Sequence, residues 1–136
     1  MKRSPIRKPK TKTISKLKSE LDRLFSIYIR KSYSNDYGQA VCYTCGKVDS
    51  WESLQNGHFI SRAHMNTRYD EGNCRVQCVG CNVFKSGNMV EYSRRLLKEL
   101  GENGFTELTS RKDVIKQFTR KDYESLIDKY KVLTRE

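Results

Sequence analysis

Four cysteines form two matched pairs with the spacing of metal ligands. Cys42 and Cys45 lie in the string CYTC, and Cys78 and Cys81 lie in CVGC. A two-residue gap lets both sulfurs of a pair reach one ion, and four thiolates satisfy tetrahedral zinc. Because a closed four-sulfur shell leaves no position for substrate, we expect this zinc to be structural. Two disulfides or a thioredoxin-like redox pair are the alternatives, and the absence of an export signal disfavours them. We expect the fifth cysteine, Cys74, to be a small buried residue.

Both histidines of the chain, His58 and His64, lie between the cysteine pairs. With sulfur supplying the zinc shell, an imidazole here serves catalysis, phosphate contact or simple packing. His58 ends a predicted strand, Asn73 opens the next segment, and Asn82 directly follows the last paired cysteine. Imidazole titrates near neutral pH and can take a proton from water, provided that a neutral amide or a backbone carbonyl fixes its tautomer.

These strings resemble a known nuclease family. GH at 57–58, SRAHMNTRYDEGN at 61–73, QC..CN at 77–82 and KSGN at 85–88 are similar to HNH endonucleases with a four-cysteine zinc site. More narrowly, they resemble the phage NinG/Rap group of recombination nucleases. The resemblance covers residues 40–93. It implies an α+β fold with a zinc-stabilised ββα-metal core, in which two antiparallel strands and a helix clasp one catalytic Mg²⁺ or Mn²⁺.

The same resemblance implies roles for single residues. His58 would be the general base, Asn73 would orient it, and Asn82 would bind the catalytic ion in the place of the usual histidine. Gly57 stands where many relatives have an acidic or histidine ligand. The candidates to complete the metal shell are His64 first, then Gln55 and Asn56. Phosphate contact and packing remain open for His64.

The charge distribution indicates a polyanionic partner. The formal net charge is +11, and residues 1–18 contain eight Lys or Arg and no acid. Such a chain attracts phosphates, so DNA is the favoured partner, and a tail that only aids solubility is the alternative. Arg62, Arg68 and Lys85 flank the predicted site and are candidate phosphate contacts, or they neutralise the thiolates or lie in solvent. The candidate DNA contacts of the N-terminal arm are Lys2, Arg3, Arg7, Lys8, Lys10 and Lys12.

Helices flank the cysteine region in the predicted organisation. We expect a basic flexible arm at 1–12 and one HNH-type domain at 13–136, made of an N-terminal helix (13–37), the zinc core (40–93) and C-terminal helices (94–136). Within the core, strands are predicted around Phe59 and Ile60 and, with alternating burial, over 73–78. Further helices are predicted over 87–100 with Gly101 as a stop, 110–118, and 120–132 with a cap at Thr119 and Asp122.

Aromatic side chains are predicted mainly to pack in the core. Tyr28, Tyr92 and Phe105 lie at helical spacing among aliphatic residues, and this pattern favours packing over base stacking. Trp51 is predicted to cover the zinc site, with contact to DNA as the alternative.

The sequence therefore predicts a metal-dependent DNA endonuclease that hydrolyses phosphodiester bonds. The resemblance adds branched recombination intermediates as substrate, and paired cuts at a symmetric junction favour a homodimer. A non-catalytic zinc module that binds nucleic acid is the alternative, and a zinc-stabilised interaction domain is a third. No apolar run is long enough for a membrane span and no secretory signal is visible, so we expect the cytoplasm, that of the bacterial host for a phage protein.

Overall fold

A computed structural model describes residues 11–135. The predicted basic arm lies almost entirely outside this range, and so do Lys2, Arg3, Arg7, Lys8 and Lys10. The architecture is mixed α+β, with two small antiparallel sheets, flanking helices and a four-cysteine cluster. None of the helices in the described range is long and apolar enough to cross a membrane.

The first helix, α1 (Ile14–Ser32), has 19 residues, and the sequence predicts a helix in this region. The Thr13 side chain caps its start by accepting a hydrogen bond from the amide of Lys16. Apolar residues at three- and four-residue steps form its buried face: Leu17, Leu21, Leu24, Phe25 and Ile29 are buried in one cluster. The helix ends at Ser32, before the predicted limit of residue 37.

Two short antiparallel hairpins follow. Strands β1 (Gln39–Val41) and β2 (Val48–Ser50) pair across the first cysteine turn. Strands β3 (Gln55–His58) and β4 (Cys74–Gln77) form the second hairpin, with His58 opposite Cys74. The strand predicted around Phe59 and Ile60 is thus displaced, because regular pairing stops at His58. The alternation predicted over residues 73–78 is also wrong, since all four β4 residues are buried.

The loop between β3 and β4 contains a single helical turn, α2 (Met65–Arg68). After the second cysteine turn comes α3 (Met89–Ser110), which is interrupted at Gly101. With φ of +75° and ψ of 172°, Gly101 breaks the helical backbone, but the helix resumes after the predicted stop. Tyr92 and Leu96 are buried in a cluster with Ile60 and Leu108.

The helix predicted over 110–118 is absent from the described residues. A single 3₁₀ turn (Arg111–Asp113) is followed by an irregular stretch in which Ile115 is 92% exposed. Without a surface to pack against, this short segment lacks the tertiary contacts that stabilise most helices.

The last helix, α4 (Arg120–Thr134), packs along α1. Its start carries the predicted capping box, in which Thr119 and Asp122 each accept a hydrogen bond from the other's backbone amide. Tyr123, Ile127 and Tyr130 join the α1 cluster, and so does Cys74 of β4, fully buried as expected. This shared cluster attaches α1 to the second hairpin.

Candidate active site and metal centre

The two cysteine pairs come together as the sequence predicts. The sulfurs of Cys42, Cys45, Cys78 and Cys81 lie within 4.8 Å of one another. In residues 11–135 they are the only group of three or more His, Cys, Asp or Glu residues placed to hold a metal ion. Tight turns bring the sulfurs inward, and Gly46 supplies the positive φ that the first turn requires.

The surroundings of the sulfurs suit thiolate ligands. The amide of Cys81 donates to the Cys78 sulfur at 3.4 Å, and the Asn88 side chain donates to the Cys81 sulfur at 3.6 Å. Such donors offset part of the negative charge that four thiolates bring. Three of the cysteines are buried and Cys45 is exposed. The donor set and its burial fit zinc, so this cluster can hold a structural zinc ion.

Trp51 packs against α1. Its ring lies 5.1 Å from the charged groups of Arg30 and Lys31, and Gly38 packs beside it. These contacts give no support to the prediction that Trp51 covers the cysteine cluster. The core positions predicted for Tyr28, Tyr92 and Phe105 agree with the structure, since Tyr92 is buried and the other two pack against buried clusters.

An open cleft of about 780 Å³ lies between α1, the second hairpin and the turn after Cys81. Its walls are polar over much of their area and include one imidazole, two guanidinium groups and several amides. The lining residues used below are Asp22, Phe25, Arg30, Gln55, Asn56, His58, Arg62 and Asn82.

His58 lies in this cleft at the end of β3. Its Nε2 is 2.8 Å from the backbone carbonyl of Arg68, the last residue of α2. A carbonyl only accepts, so Nε2 carries the proton of the neutral ring and Nδ1 keeps its lone pair. Burial lowers the pKa of His58 and outweighs the carbonyl of Arg68, which favours the charged ring. The imidazole is therefore prepared to accept a proton rather than to donate one.

Asn73 fixes the loop that leads away from His58, and its side-chain hydrogen bonds go to backbone groups of that loop rather than to the imidazole. Its buried side chain accepts from the amide of Ile60 at 2.7 Å and donates to the carbonyls of Ile60 and Thr67. The backbone carbonyl of Asn73 also accepts from the amide of Phe59. The hydrogen bond that orients the His58 ring, expected from Asn73, is instead made by the Arg68 carbonyl. Asn73 holds the loop that contains Arg68.

The amides near Asn82 supply oxygen atoms to the cleft. Asn82 donates from Nδ2 to Oε1 of Gln55 at 2.7 Å. The neighbouring Oδ1 of Asn56 is buried and accepts no hydrogen bond from the described residues. An unpaired buried oxygen is costly, and oxygen is the donor that Mg²⁺ and Mn²⁺ prefer. Asn82 and Asn56 therefore fit a hard divalent cation by donor type.

His64 lies elsewhere. It lines two neighbouring cavities, together with residues such as Ile60, Thr106 and Lys112, and it does not line the His58 cleft. The expectation that His64 completes the catalytic metal shell finds no support, because His64 lines these two cavities and not the His58 cleft.

The predicted cationic residues divide into different roles. Arg62 lines the cleft and is exposed. The guanidinium of Arg68 instead donates two hydrogen bonds to Asp22, at 2.6 and 3.0 Å. It also donates to the carbonyl of Arg62. Lys85 is exposed outside the cleft lining, and Lys12 pairs with Glu20 at 2.8 Å. The prediction missed Arg30, which reaches the cleft from α1.

Asp22 is a second residue that the sequence reasoning missed. It shares a helical face with Phe25, Ser26 and Ile29, so an acidic residue interrupts a largely apolar face. Burial alone would raise the pKa of its carboxyl, but hydrogen bonds from Arg68 and Tyr69 hold that pKa below its usual value. The signal available in the sequence was an acidic residue on the inward face of an amphipathic helix, where a buried partner is needed.

Gly57 is closely packed against Gln77 of β4. Any Cβ at position 57 would collide with the Gln77 side chain. Gln77 is fully buried and donates to the Thr44 hydroxyl at 3.1 Å and to the Gly87 carbonyl at 2.9 Å. The Gln77 side chain thus fills the space that any side chain at position 57 would need, and it joins β4 to the first cysteine turn and to the segment after the second.

Comparison with known proteins identifies relatives in bacteriophages. The profile of the family described as NinG, bacteriophage lambda NinG protein, matches residues 2–136. Proteins named ninG are 38% identical in Escherichia phage 933W, 36% identical in Escherichia phage lambda and 38% identical in Salmonella phage P22, each over 72 residues. These alignments cover 51% of this chain and 34% of each relative, so the matched part is about a third of the relatives' length. No solved structure matches significantly.

Proposed function

Because this chain belongs to the NinG family of bacteriophage proteins, which is associated with recombination, we propose that it is a DNA endonuclease of the HNH type. The observation that carries this proposal is the state of His58. Its neutral ring lies in an open polar cleft, with Nε2 bonded to the Arg68 carbonyl and Nδ1 left as a base. A zinc module that only binds nucleic acid has no need of this arrangement.

In the proposed reaction, Nδ1 of His58 takes a proton from a water molecule as the water oxygen attacks phosphorus. A new P–O bond forms, the bond to the leaving sugar oxygen breaks, and that oxygen is later protonated from solvent. A well-placed general base contributes on the order of 10² to 10⁴ in rate. The Arg68 carbonyl favours this step because it stabilises the positive ring that forms.

The scissile strand would be held by positive charge on both sides of the cleft. Arg62 lies on the loop after β3, and Arg30 lines the cleft from α1, where its guanidinium also donates to the Trp51 carbonyl at 3.2 Å. Guanidinium groups bind phosphate oxygens through paired hydrogen bonds. Asn82 and Asn56 are the residues that would hold the divalent ion, which supplies positive charge beside the phosphate when bound.

Two finer points extend the proposal. The family association favours branched DNA as substrate, and a contact set dominated by phosphates would give little sequence preference. Paired cuts at a symmetric junction would need two active sites, so we propose a homodimer as the acting form.

The deciding experiment compares wild-type protein with His58→Ala on labelled duplex, single-stranded and branched DNA with Mg²⁺ or Mn²⁺. We expect the variant to keep zinc and DNA affinity but to lose cleavage by ~100-fold or more. His64→Ala is the matched control, since it removes the other histidine from outside the cleft, and it should cut like wild type. Wild-type protein that binds all three DNAs and cuts none would replace the nuclease with a non-catalytic binding module.

A further inference from the structure

Asp22 is the only carboxylate among the described residues that line the His58 cleft. It comes from α1, outside the segment that resembles the nuclease core. Its Oδ1 accepts from Nε of Arg68 at 3.0 Å and from the Tyr69 hydroxyl at 2.8 Å. Its Oδ2 accepts from an Nη of Arg68 at 2.6 Å. With both oxygens engaged by these donors, Asp22 is placed to fix Arg68 rather than to bind a metal ion.

Arg68 connects this carboxylate to the imidazole. Its side chain is held by Asp22, and its backbone carbonyl accepts from Nε2 of His58 at 2.8 Å. A further Nη donates to the carbonyl of Arg62 at 2.9 Å. Arg68 therefore links α1, the end of α2 and the wall of the cleft.

Resting on the proposed nuclease function, we propose that Asp22 is a positioning residue that acts through Arg68 to hold His58 as the Nε2–H tautomer. A residue of α1, which precedes the cysteine region in sequence, thus helps to hold the catalytic base in its reactive tautomer.

The local structure explains why this support is needed. Helix α2 has only four residues, and such a short helix does not hold its terminal carbonyl in place by itself. A two-pronged pair between guanidinium and carboxylate restrains that end far more firmly than one neutral hydrogen bond. The Phe25 ring, 6.4 Å from the His58 ring, limits its movement on the α1 side.

Charge adds a second effect. The groups that face His58 are the cationic Arg62 and Arg68 and the anionic Asp22. Without the carboxylate, two positive charges would face the ring uncompensated. The half-buried Arg68 guanidinium would then turn toward solvent and pull the end of α2 with it.

The test uses Asp22→Asn in the full chain, with Glu20→Gln as the matched control. Glu20 is a carboxylate of the same helix that pairs with Lys12 and Lys131, away from the cleft. The ¹⁵N shifts of the ring nitrogens report the tautomer directly, and with two histidines in the chain the spectrum is readily assigned. Single-turnover cleavage and DNA affinity complete the comparison.

We expect Asp22→Asn to change the His58 ring from one tautomer to a mixture and to slow cleavage by roughly 10- to 100-fold at unchanged DNA affinity. Glu20→Gln should match wild type in all three measurements. An Asp22→Asn protein with wild-type ring shifts would overturn the proposal, whatever its cleavage rate. If wild-type protein cuts no DNA, the nuclease fails but the ring shifts still decide the role of Asp22. If Asp22→Asn does not fold, Arg68→Lys, which keeps the charge but loses the two-pronged pair, must show the same tautomer change.

Discussion

The cysteine cluster and the His58 cleft are neighbours built in different ways. Each half of the cluster is a turn in which two ligands are separated by two residues, so most of its geometry is local. The cleft joins Asp22 on α1 to His58 at the end of β3 and to Arg68 at the end of α2, and its central ion pair spans 46 positions of sequence. The cluster therefore depends mainly on the covalent spacing of ligands that could hold one metal ion, whereas the cleft depends on hydrogen bonds between separate elements.

The largest expected effect comes from breaking the cluster. Cys78→Ser replaces a thiolate by a poor zinc ligand and removes a buried member of the cluster formed with Ala40, Leu54 and Val76. Binding free energies for structural zinc are about 10 kcal/mol or more in small domains, so this protein should lose zinc and most of its cooperative folding. Zinc content and thermal unfolding measure the outcome.

Cys74→Ala is the control for that experiment. Cys74 is equally buried but lies in the α1 and α4 cluster, so the variant should keep its zinc with only a modest loss of stability. A Cys78→Ser protein that remains folded without metal would remove the structural role assigned to the cluster.

A smaller loss of stability is expected when the hydrogen bonds that hold the loop beside the cleft are removed. Asn73→Ala removes three side-chain hydrogen bonds and leaves backbone groups of Ile60 and Thr67 unpaired. Buried unsatisfied groups cost about 1 to 3 kcal/mol each, so we expect a loss of about 3 kcal/mol in unfolding free energy with zinc retained. Urea denaturation and zinc content measure this.

Asn66→Ala, in the same loop, is the comparison for Asn73. Its side chain makes one hydrogen bond, to the Arg111 carbonyl, so its loss should be about 1 kcal/mol. Equal stability of the two variants would show that Asn73 does not hold the loop.

The smallest effect should come from a site remote from both regions. Thr119→Ala removes the side-chain cap of α4 and should cost about 1 kcal/mol without changing zinc content or DNA cleavage. Thr119→Ser keeps the capping hydroxyl and should retain most of the stability in the same denaturation experiment. A loss of zinc in Thr119→Ala would mean that α4 and the cluster are more tightly coupled than their separate contacts indicate.

What the sequence could predict follows the same division between local and distant contacts. The sulfur site and the capping box of Thr119 and Asp122 depend on residues near one another in the chain, and the structure agrees with both. The break at Gly101 agrees with the predicted stop, but the helical continuation to Ser110 and the irregular stretch near Ile115 were not predicted. Both depend on tertiary contacts, because Leu108 is buried and Ile115 is exposed.

The cleft was predictable only in part. His58 and Asn82 were singled out from the resemblance, and both line the cleft. Their partners depend on tertiary structure: the Arg68 carbonyl is a backbone atom that no side-chain pattern identifies, and Asp22 lies on a helix for which no site residue was predicted. His64 was favoured as a metal ligand because the chain has only two histidines. The number of histidines does not tell which part of the fold a given histidine faces.

The close packing of Gly57 and Gln77 constrains how this protein can change. A mutation that introduces a side chain at position 57 would expel Gln77 and separate β4 from Thr44 and Gly87. The two positions must therefore change together, with a smaller residue at 77 accompanying any side chain at 57. Random substitution at position 57 alone should accordingly yield folded protein only for glycine, whereas paired libraries at 57 and 77 should recover other residues.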